Sequence, residues 1–178
     1  MSDTLDRFTT IAAGFTSRID AVSADAWNND APCEGWKARD VATHVINASY
    51  HFSGGEPPAS IADADLPAAW ATARDAIASA LADPEKAKAQ TQSPFGPMPL
   101  EDVIGRLSCT DVLVHTWDLA RAAGLDETLH AESVAGAFEG LKPMDAMIRM
   151  PGVFGPKIEV GADADLQTQF LSFLGRTV

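Results

Sequence analysis

The strongest chemical signal in the sequence is a carboxylate and a histidine placed four residues apart in one predicted helix. Within the stretch CTDVLVHTWD, Asp111 and His115 lie about 40° apart on a helical wheel, and Asp118 lies about 20° to the other side of Asp111. These side chains interrupt a largely apolar face. A charge there must be paired, neutralised or bound to a metal, because burying it alone is costly. The pattern therefore indicates either metal ligands or a buried ion pair.

A second predicted helix carries His44, with His51 on nearly the same line of that helix. One histidine from this helix, added to Asp111 and His115, would complete the two-histidine, one-carboxylate set that catalytic zinc often uses. Non-haem Fe(II) uses the same set, so the ligand types alone do not fix the metal. A helical Asp-x-x-x-His can equally be a structural ion pair, and a lone histidine on an apolar stripe can be a core residue. Spacing alone leaves these alternatives open.

Four other side chains have an expected position, either beside the candidate ligands or away from them. Asp118 and His51 could orient a ligand from the second shell, although Asp118 could instead pair with Arg121. Cys109 points about 160° away from Asp111 on the wheel and is expected in the core. Cys33 lies in a turn-rich segment and could be reactive. The two cysteines form no paired framework, which favours a reducing compartment and a cytoplasmic location.

Apolar residues at spacings of three and four place these side chains on helices. They predict helices over about 3–22, 37–52, 67–81, 100–123, 131–147 and 165–174. KIEV, residues 157–160, could add a short strand. No internal repeat or linker interrupts the pattern. The expectation is an all-α fold, a four-helix bundle with additional short helices and a minor β element, in one domain spanning residues 1–178.

The charge composition indicates which classes of binding partner to expect. The 178 residues carry 25 acidic and 13 basic side chains, for a net charge of −12. Such a surface repels phosphate backbones and anionic lipid heads, so neither nucleic acid nor a membrane is an expected partner. No basic leader and no apolar run long enough to span a bilayer occurs in the sequence. A soluble intracellular protein with a small-molecule partner is expected, and exposed helix faces would allow a homodimer.

Two motifs resemble a known family. PCEGWKARDVATHVINA resembles the opening of the second helix in the DinB-like superfamily. SPFGPMPLEDVIGRLSCTDVLVHTWDLARAAG is similar to the second signature of its mycothiol-dependent maleylpyruvate isomerase branch, found in actinobacteria. The closing FLSFLGRTV resembles the end of the small single-domain metal-binding members of that branch. The two main motifs occur in the family's order, and the resemblance covers most of the chain.

This resemblance implies a DinB-like four-helix bundle whose metal ligands are His44, Asp111 and His115. It also implies a metal-dependent transferase or isomerase that activates a low-molecular-weight thiol, such as mycothiol, towards a small electrophile. Zinc is the expected ion, with nickel or iron as alternatives. A metal-binding module without catalysis, or a metal-assisted hydrolase, would have the same ligands.

The sequence departs from the family pattern in two ways. Lys37 stands where the family has a threonine, which removes a favourable helix N-cap worth about 1 kcal/mol. The maleylpyruvate isomerases also carry a further C-terminal domain that helps build their active site, and the sequence leaves no room for it after the bundle. Activity on maleylpyruvate itself is therefore not expected.

Overall fold

The fold is helical, as expected, with one very short β-hairpin. A computed structural model describes residues 3–93, 95–149, 154–161 and 163–178. The chain divides into two compact units, Met1–Glu127 and Thr128–Val178. The organisation as a single domain stays a prediction.

Among its described residues, the first unit has four long helices: α1 Asp3–Ile19, α2 Ala38–Ser53, α3 Leu66–Ala82 and α6 Cys109–Ala123. Two short helices, α4 Pro84–Lys88 and α5 Leu100–Val103, and the hairpin lie between α3 and α6 in the chain. Helix α1 packs against α3 and α6, and α2 packs against the same two helices, so the four long helices close into a bundle.

The predicted apolar stripe of α1 lies in the core of this bundle, where every one of its apolar positions is buried. Phe15 of α1 meets Trp70 of α3 edge to face, with ring centroids 4.9 Å apart. The indole Nε1 of Trp70 donates to Thr16 Oγ1 at 2.8 Å. Because its one polar atom is bonded, the large indole is buried without an unpaired donor.

Helix α2 begins where it was predicted, despite Lys37 at its N-cap. The Asp40 carboxylate accepts the backbone N–H of Lys37 at 2.8 Å. This is one of the two hydrogen bonds of a capping box, in which the side chain of the third helical residue accepts the N–H of the N-cap residue. It fixes the start of the helix that carries His44.

The predicted helix over 100–123 is helical throughout but not uniform. Between α5 and α6, residues Ile104–Ser108 form a π-helical turn. A π-turn adds a residue to the turn, so the α-helical periodicity is interrupted just before the segment that carries Asp111. The far end is as predicted: Gly124 has φ 67° and its backbone N–H bonds to the last turn of α6.

The β element is present at a different place from the one predicted. Strand β1, Gln90–Thr91, pairs antiparallel with β2, Met98–Pro99. The segment 157–160 forms no strand, so that part of the prediction is wrong. The backbone N–H of Ile158 bonds to the carbonyl of Ser172 near the end of a helix. A β-strand instead needs a ladder of such bonds to a neighbouring strand. The stretch SPFGPMP includes Pro94, which lies outside the described residues.

The described residues of the second unit form three α-helices: α7 Ala131–Leu141, α8 Asp145–Ile148 and α9 Leu166–Phe173. A 3₁₀ turn over Lys142–Met144 divides the helix predicted over 131–147. The ring of Phe138 on α7 packs on Phe170 and Phe173 of α9, with centroid distances of 6.1 and 5.4 Å. Within the described part of the chain, no helix combines the length and the apolar character needed to cross a membrane.

Candidate metal centre

Two packed helices of the first unit position the candidate ligands. Helix α2 carries His44 between the buried residues Val41 and Val45, and α6 carries Asp111 and His115 one turn apart. Apolar packing of α2 on α6 fixes the two backbones relative to each other. The three side chains therefore meet across a helix–helix interface and not on a loop.

The two histidines converge on one carboxylate oxygen. His44 Nε2 lies 3.2 Å from Asp111 Oδ1, and His115 Nε2 lies 3.5 Å from the same atom. The two imidazole rings are 4.8 Å apart at their centroids and meet edge to face. One ligand atom from each of the three residues lies within 4.8 Å of the other two. Side chains 67 residues apart in sequence are thus placed as a compact N₂O donor set.

The charges in this cluster are strongly coupled. Burial alone would raise the pKa of Asp111, but the adjacent His115 and His44 outweigh it and hold that pKa well below its usual range. Burial alone would lower the pKa of His115. The Asp111 charge and hydrogen bonds with Asp111, Asp118 and Cys33 instead hold that pKa well above its usual value. The metal-free cluster therefore favours an ionised carboxylate beside a protonated imidazole.

The other nitrogen of His115 is bonded to Asp118. His115 Nδ1 donates to Asp118 Oδ2 at 2.8 Å, and the Asp118 side chain is fully buried. Arg121, the alternative partner considered for Asp118, forms an ion pair with Glu127 at 2.8 Å. A carboxylate on the far nitrogen of a histidine fixes the ring and its tautomer, which is common behind metal-bound histidines.

Trp36 covers the cluster, a role that sequence reasoning did not assign. Its ring stacks on His115 with an interplanar angle of 16° and a centroid distance of 5.9 Å. It also meets the His44 ring at 5.1 Å. The available signal was its position in the motif that opens α2, but its orientation depends on the turn before the helix. Trp36 forms an apolar wall over both imidazoles.

Cys33 joins the same region through that turn. Its Sγ donates to Asp118 Oδ2 at 3.4 Å, across 85 residues of sequence. The Trp36 N–H bonds to the Cys33 carbonyl at 3.0 Å, and Gly35 between them has φ 77°. This tight turn brings the thiol back to the bundle. Together with His115 and Asp118, Cys33 forms a second group of potential ligand atoms within 4.8 Å of one another.

The remaining histidines and cysteine lie elsewhere. His51, considered for the second shell, is exposed on α2 and belongs to neither ligand cluster found among the described residues. His130 caps α7, where its ring nitrogen accepts the Ser133 N–H at 3.3 Å. Cys109 is buried, as predicted, and burial raises the pKa of its thiol to about 11.

The cluster is accessible from one side. The side chains of His44 and Asp111 are 38% and 25% exposed, whereas that of His115 is 7% exposed. Two imidazoles and one carboxylate also match the protein ligands of catalytic zinc sites, which leave a coordination position for water or substrate. Fold and ligand cluster together define a helical-bundle protein with a candidate solvent-accessible metal centre.

Comparison with known families agrees with this class. Residues 8–120 match the family described as "Mycothiol maleylpyruvate isomerase N-terminal domain", which is DinB-like. The chain belongs to this family. The match includes the turn with Cys33, all of α2, and α6 as far as Ala120, so both ligand clusters lie within it.

Two relatives extend the similarity over nearly the whole chain. They are "Uncharacterized protein MT0763" of Mycobacterium tuberculosis strain CDC 1551 / Oshkosh and "Uncharacterized protein Rv0738" of strain ATCC 25618 / H37Rv. Each is 33% identical over 174 residues, which is 92% of this chain and 92% of the relative. No solved structure gives a significant match.

Proposed function

We propose that the protein binds one divalent metal ion on His44, Asp111 and His115 and uses it to activate a low-molecular-weight thiol. Zinc is the expected ion, with nickel or iron as alternatives. The thiol is mycothiol or a close analogue, and the reaction is its transfer to a small electrophile or an isomerisation that depends on it. The convergence of two Nε2 atoms on Asp111 Oδ1 carries this proposal.

The donor chemistry supports a cation at this position. In the metal-free cluster, only a proton on an imidazole offsets the Asp111 charge, and each histidine offers a single nitrogen to that carboxylate. A divalent ion would replace that proton and be bound by both neutral imidazoles and the carboxylate at once. The total charge of the cluster stays close to neutral in this exchange, so the partly buried site tolerates it.

A bound divalent ion would supply a Lewis acid that deprotonates a coordinated thiol near neutral pH. The residues around the site determine which molecules can reach the bound ion. Trp36 stacks on the face of His115 and packs against His44, while the exposed part of the His44 side chain leaves an approach for a small thiol. Asp118 holds the Nδ1 proton of His115, so that Nε2 presents its lone pair to the ion.

The family match supports the thiol as partner, since the matching family is named for a mycothiol-dependent isomerase domain. The net charge of −12 opposes binding to nucleic acid, which supports a small-molecule partner. Transferase or isomerase activity, a cytoplasmic location and a homodimer complete the proposal. Light scattering tests the dimer.

The first experiment measures metal and thiol together. Protein purified without chelator should carry close to one divalent ion per chain by elemental analysis. Cobalt-substituted protein should gain a thiolate-to-metal charge-transfer band when mycothiol is added. The experiment is done in a Cys33→Ser background, so that the band reports the added thiol and not the protein's own.

Two histidines on α2 give a matched pair of variants. His44→Ala should abolish the thiol-induced band, whereas His51→Ala, which removes an exposed histidine about two helical turns away, should leave it unchanged. Metal binding without any thiol band would favour the non-catalytic module. Metal-dependent hydrolysis of small esters without thiol binding would favour the hydrolase. Absence of metal uptake on titration would refute the proposal as a whole.

A further inference from the structure

The second nitrogen of His115 faces a different set of ligand atoms. Its Nδ1 lies 2.8 Å from Asp118 Oδ2, and that oxygen lies 3.4 Å from Cys33 Sγ. All three potential ligand atoms lie within 4.8 Å of one another. We propose that Cys33, His115 and Asp118 form a second, thiolate-containing metal site that takes thiophilic divalent ions such as Cd²⁺ on the Nδ1 side of the imidazole.

Burial and donor type distinguish this cluster from an isolated cysteine. Asp118 is 0% exposed and His115 is 6% exposed, so two of the three donors are buried polar groups already directed at one point. Buried charged side chains are stable when they are paired or bind a metal. The set differs from the first one by its sulfur, which selects softer ions than two imidazoles and a carboxylate do. Cys33 is half-buried, so one of the three donors is partly exposed to solvent.

The proton balance of this site is simple. An ion that binds here replaces two protons, one on Cys33 Sγ and one on His115 Nδ1, and both are released to solvent. New bonds form from the ion to sulfur, to nitrogen and to an Asp118 oxygen. His115 then keeps its proton on Nε2, which faces Asp111 Oδ1 at 3.5 Å and can donate to it.

The two sites exclude each other because they share one imidazole. A neutral imidazole has one nitrogen with a lone pair and one with a proton. An ion on His44, Asp111 and His115 needs the proton on Nδ1, and an ion on the Cys33 side needs it on Nε2. Each chain should therefore hold one ion at a time, with the softness of the ion deciding which side it occupies.

Titration of the metal-free full-length protein with Cd²⁺ tests this directly, because a cadmium–thiolate bond gives an ultraviolet charge-transfer band. Wild type should gain the band and saturate at one ion per chain. Cys33→Ser should lose it, although serine can still donate to Asp118. Cys109→Ala should keep it, since Cys109 is buried apart from the cluster. Circular dichroism verifies that each variant remains helical.

His44→Ala separates this inference from the proposed function. It should keep the cadmium band while it loses the mycothiol-dependent cobalt band. In zinc-loaded wild type, cadmium should raise the band as zinc is released one for one. Three results would overturn the inference: no band in wild type, a band that survives Cys33→Ser, or loss of the band in His44→Ala. Loss of the band in His44→Ala would mean that Cys33 is a fourth ligand of the site on His44, Asp111 and His115. Absence of the band in wild type would mean that Cys33 only donates a hydrogen bond to Asp118.

Discussion

Alanine substitution at the two histidines of the candidate metal centre should have very different effects. The His44 side chain is 38% exposed and its contact with Asp111 is screened by solvent, so its loss should cost the metal-free protein about 0–1 kcal/mol. His115 is 7% exposed and is the hydrogen-bond partner of Asp118, which is fully buried. Breaking such a buried pair should cost about 3–5 kcal/mol.

Bound metal adds a separate contribution that both variants should lose. An ion present at about 100 to 1,000 times its dissociation constant stabilises the folded state by about 2.7 to 4.1 kcal/mol. For a chain of this size, 1 kcal/mol shifts the melting temperature by about 2–4 °C. Chelation should therefore lower the melting temperature of wild type by roughly 5–16 °C and leave it folded at room temperature.

Circular-dichroism melts with and without chelator test both contributions. His51→Ala is the control, because its exposed side chain belongs to neither ligand cluster, and it should respond to chelator as wild type does. In a Cys33→Ser background, where the sulfur-containing site cannot hold the ion, His44→Ala should melt near the chelated parent and ignore the chelator, whereas His115→Ala should melt well below it. A chelator response that persists in His44→Ala in that background would refute the ligand assignment. Unfolding of wild type by chelator at 25 °C would show that the ion is required for folding, and the thiol-activation proposal would then lose its main support.

Three further predictions use the same preparation. In the metal-free protein, the lowered pKa of Asp111 and the raised pKa of His115 should stabilise the fold fully between their ordinary values of 3.8 and 6.5. That stabilisation should fall as pH drops below 3.8 or rises from 6.5 through the raised His115 pKa, as measured by denaturant titration. Asp111→Asn should remove the loss at acid pH and weaken the loss at alkaline pH, because hydrogen bonds with Asp118 and Cys33 still raise the pKa of His115. Iodoacetamide at pH 8 should label Cys33 well before Cys109, by peptide mass spectrometry, because Cys109 is buried with a pKa of about 11; equal labelling would contradict this. Metal binding should change tryptophan fluorescence, and Trp36→Phe should abolish that change, since Trp36 packs on both imidazoles.

The long helices could be predicted from sequence because their burial is periodic. In α1, apolar residues three and four apart predicted both the helix and its buried face. The same reasoning placed Asp111 and His115 on one side of α6, since an i, i+4 pair is fixed by the geometry of a single helix. The family motifs then indicated which histidine on the other helix would join them.

Contacts that depend on turns were not predictable in this way. Cys33 and Trp36 reach the cluster only because a turn with Gly35 at φ 77° folds back onto the bundle. No periodic pattern encodes that path. The prediction of a strand over 157–160 was wrong for a related reason. A strand needs a partner strand, and the sequence alone did not show that the segments that pair are β1 and β2.

The buried Asp118 carboxylate bears on whether the cluster was selected for stability. A helix position inside a bundle would be at least as stable with an apolar residue, because desolvating a carboxylate offsets most of what its hydrogen bonds contribute. Asp118 nevertheless accepts hydrogen bonds from His115 Nδ1 and Cys33 Sγ, and it has no exposed surface through which solvent could compensate. Stability alone gives no reason for this arrangement. A role in setting the tautomer of His115 does give a reason. A group that holds the proton on Nδ1 determines which nitrogen of His115 is free to bind an ion.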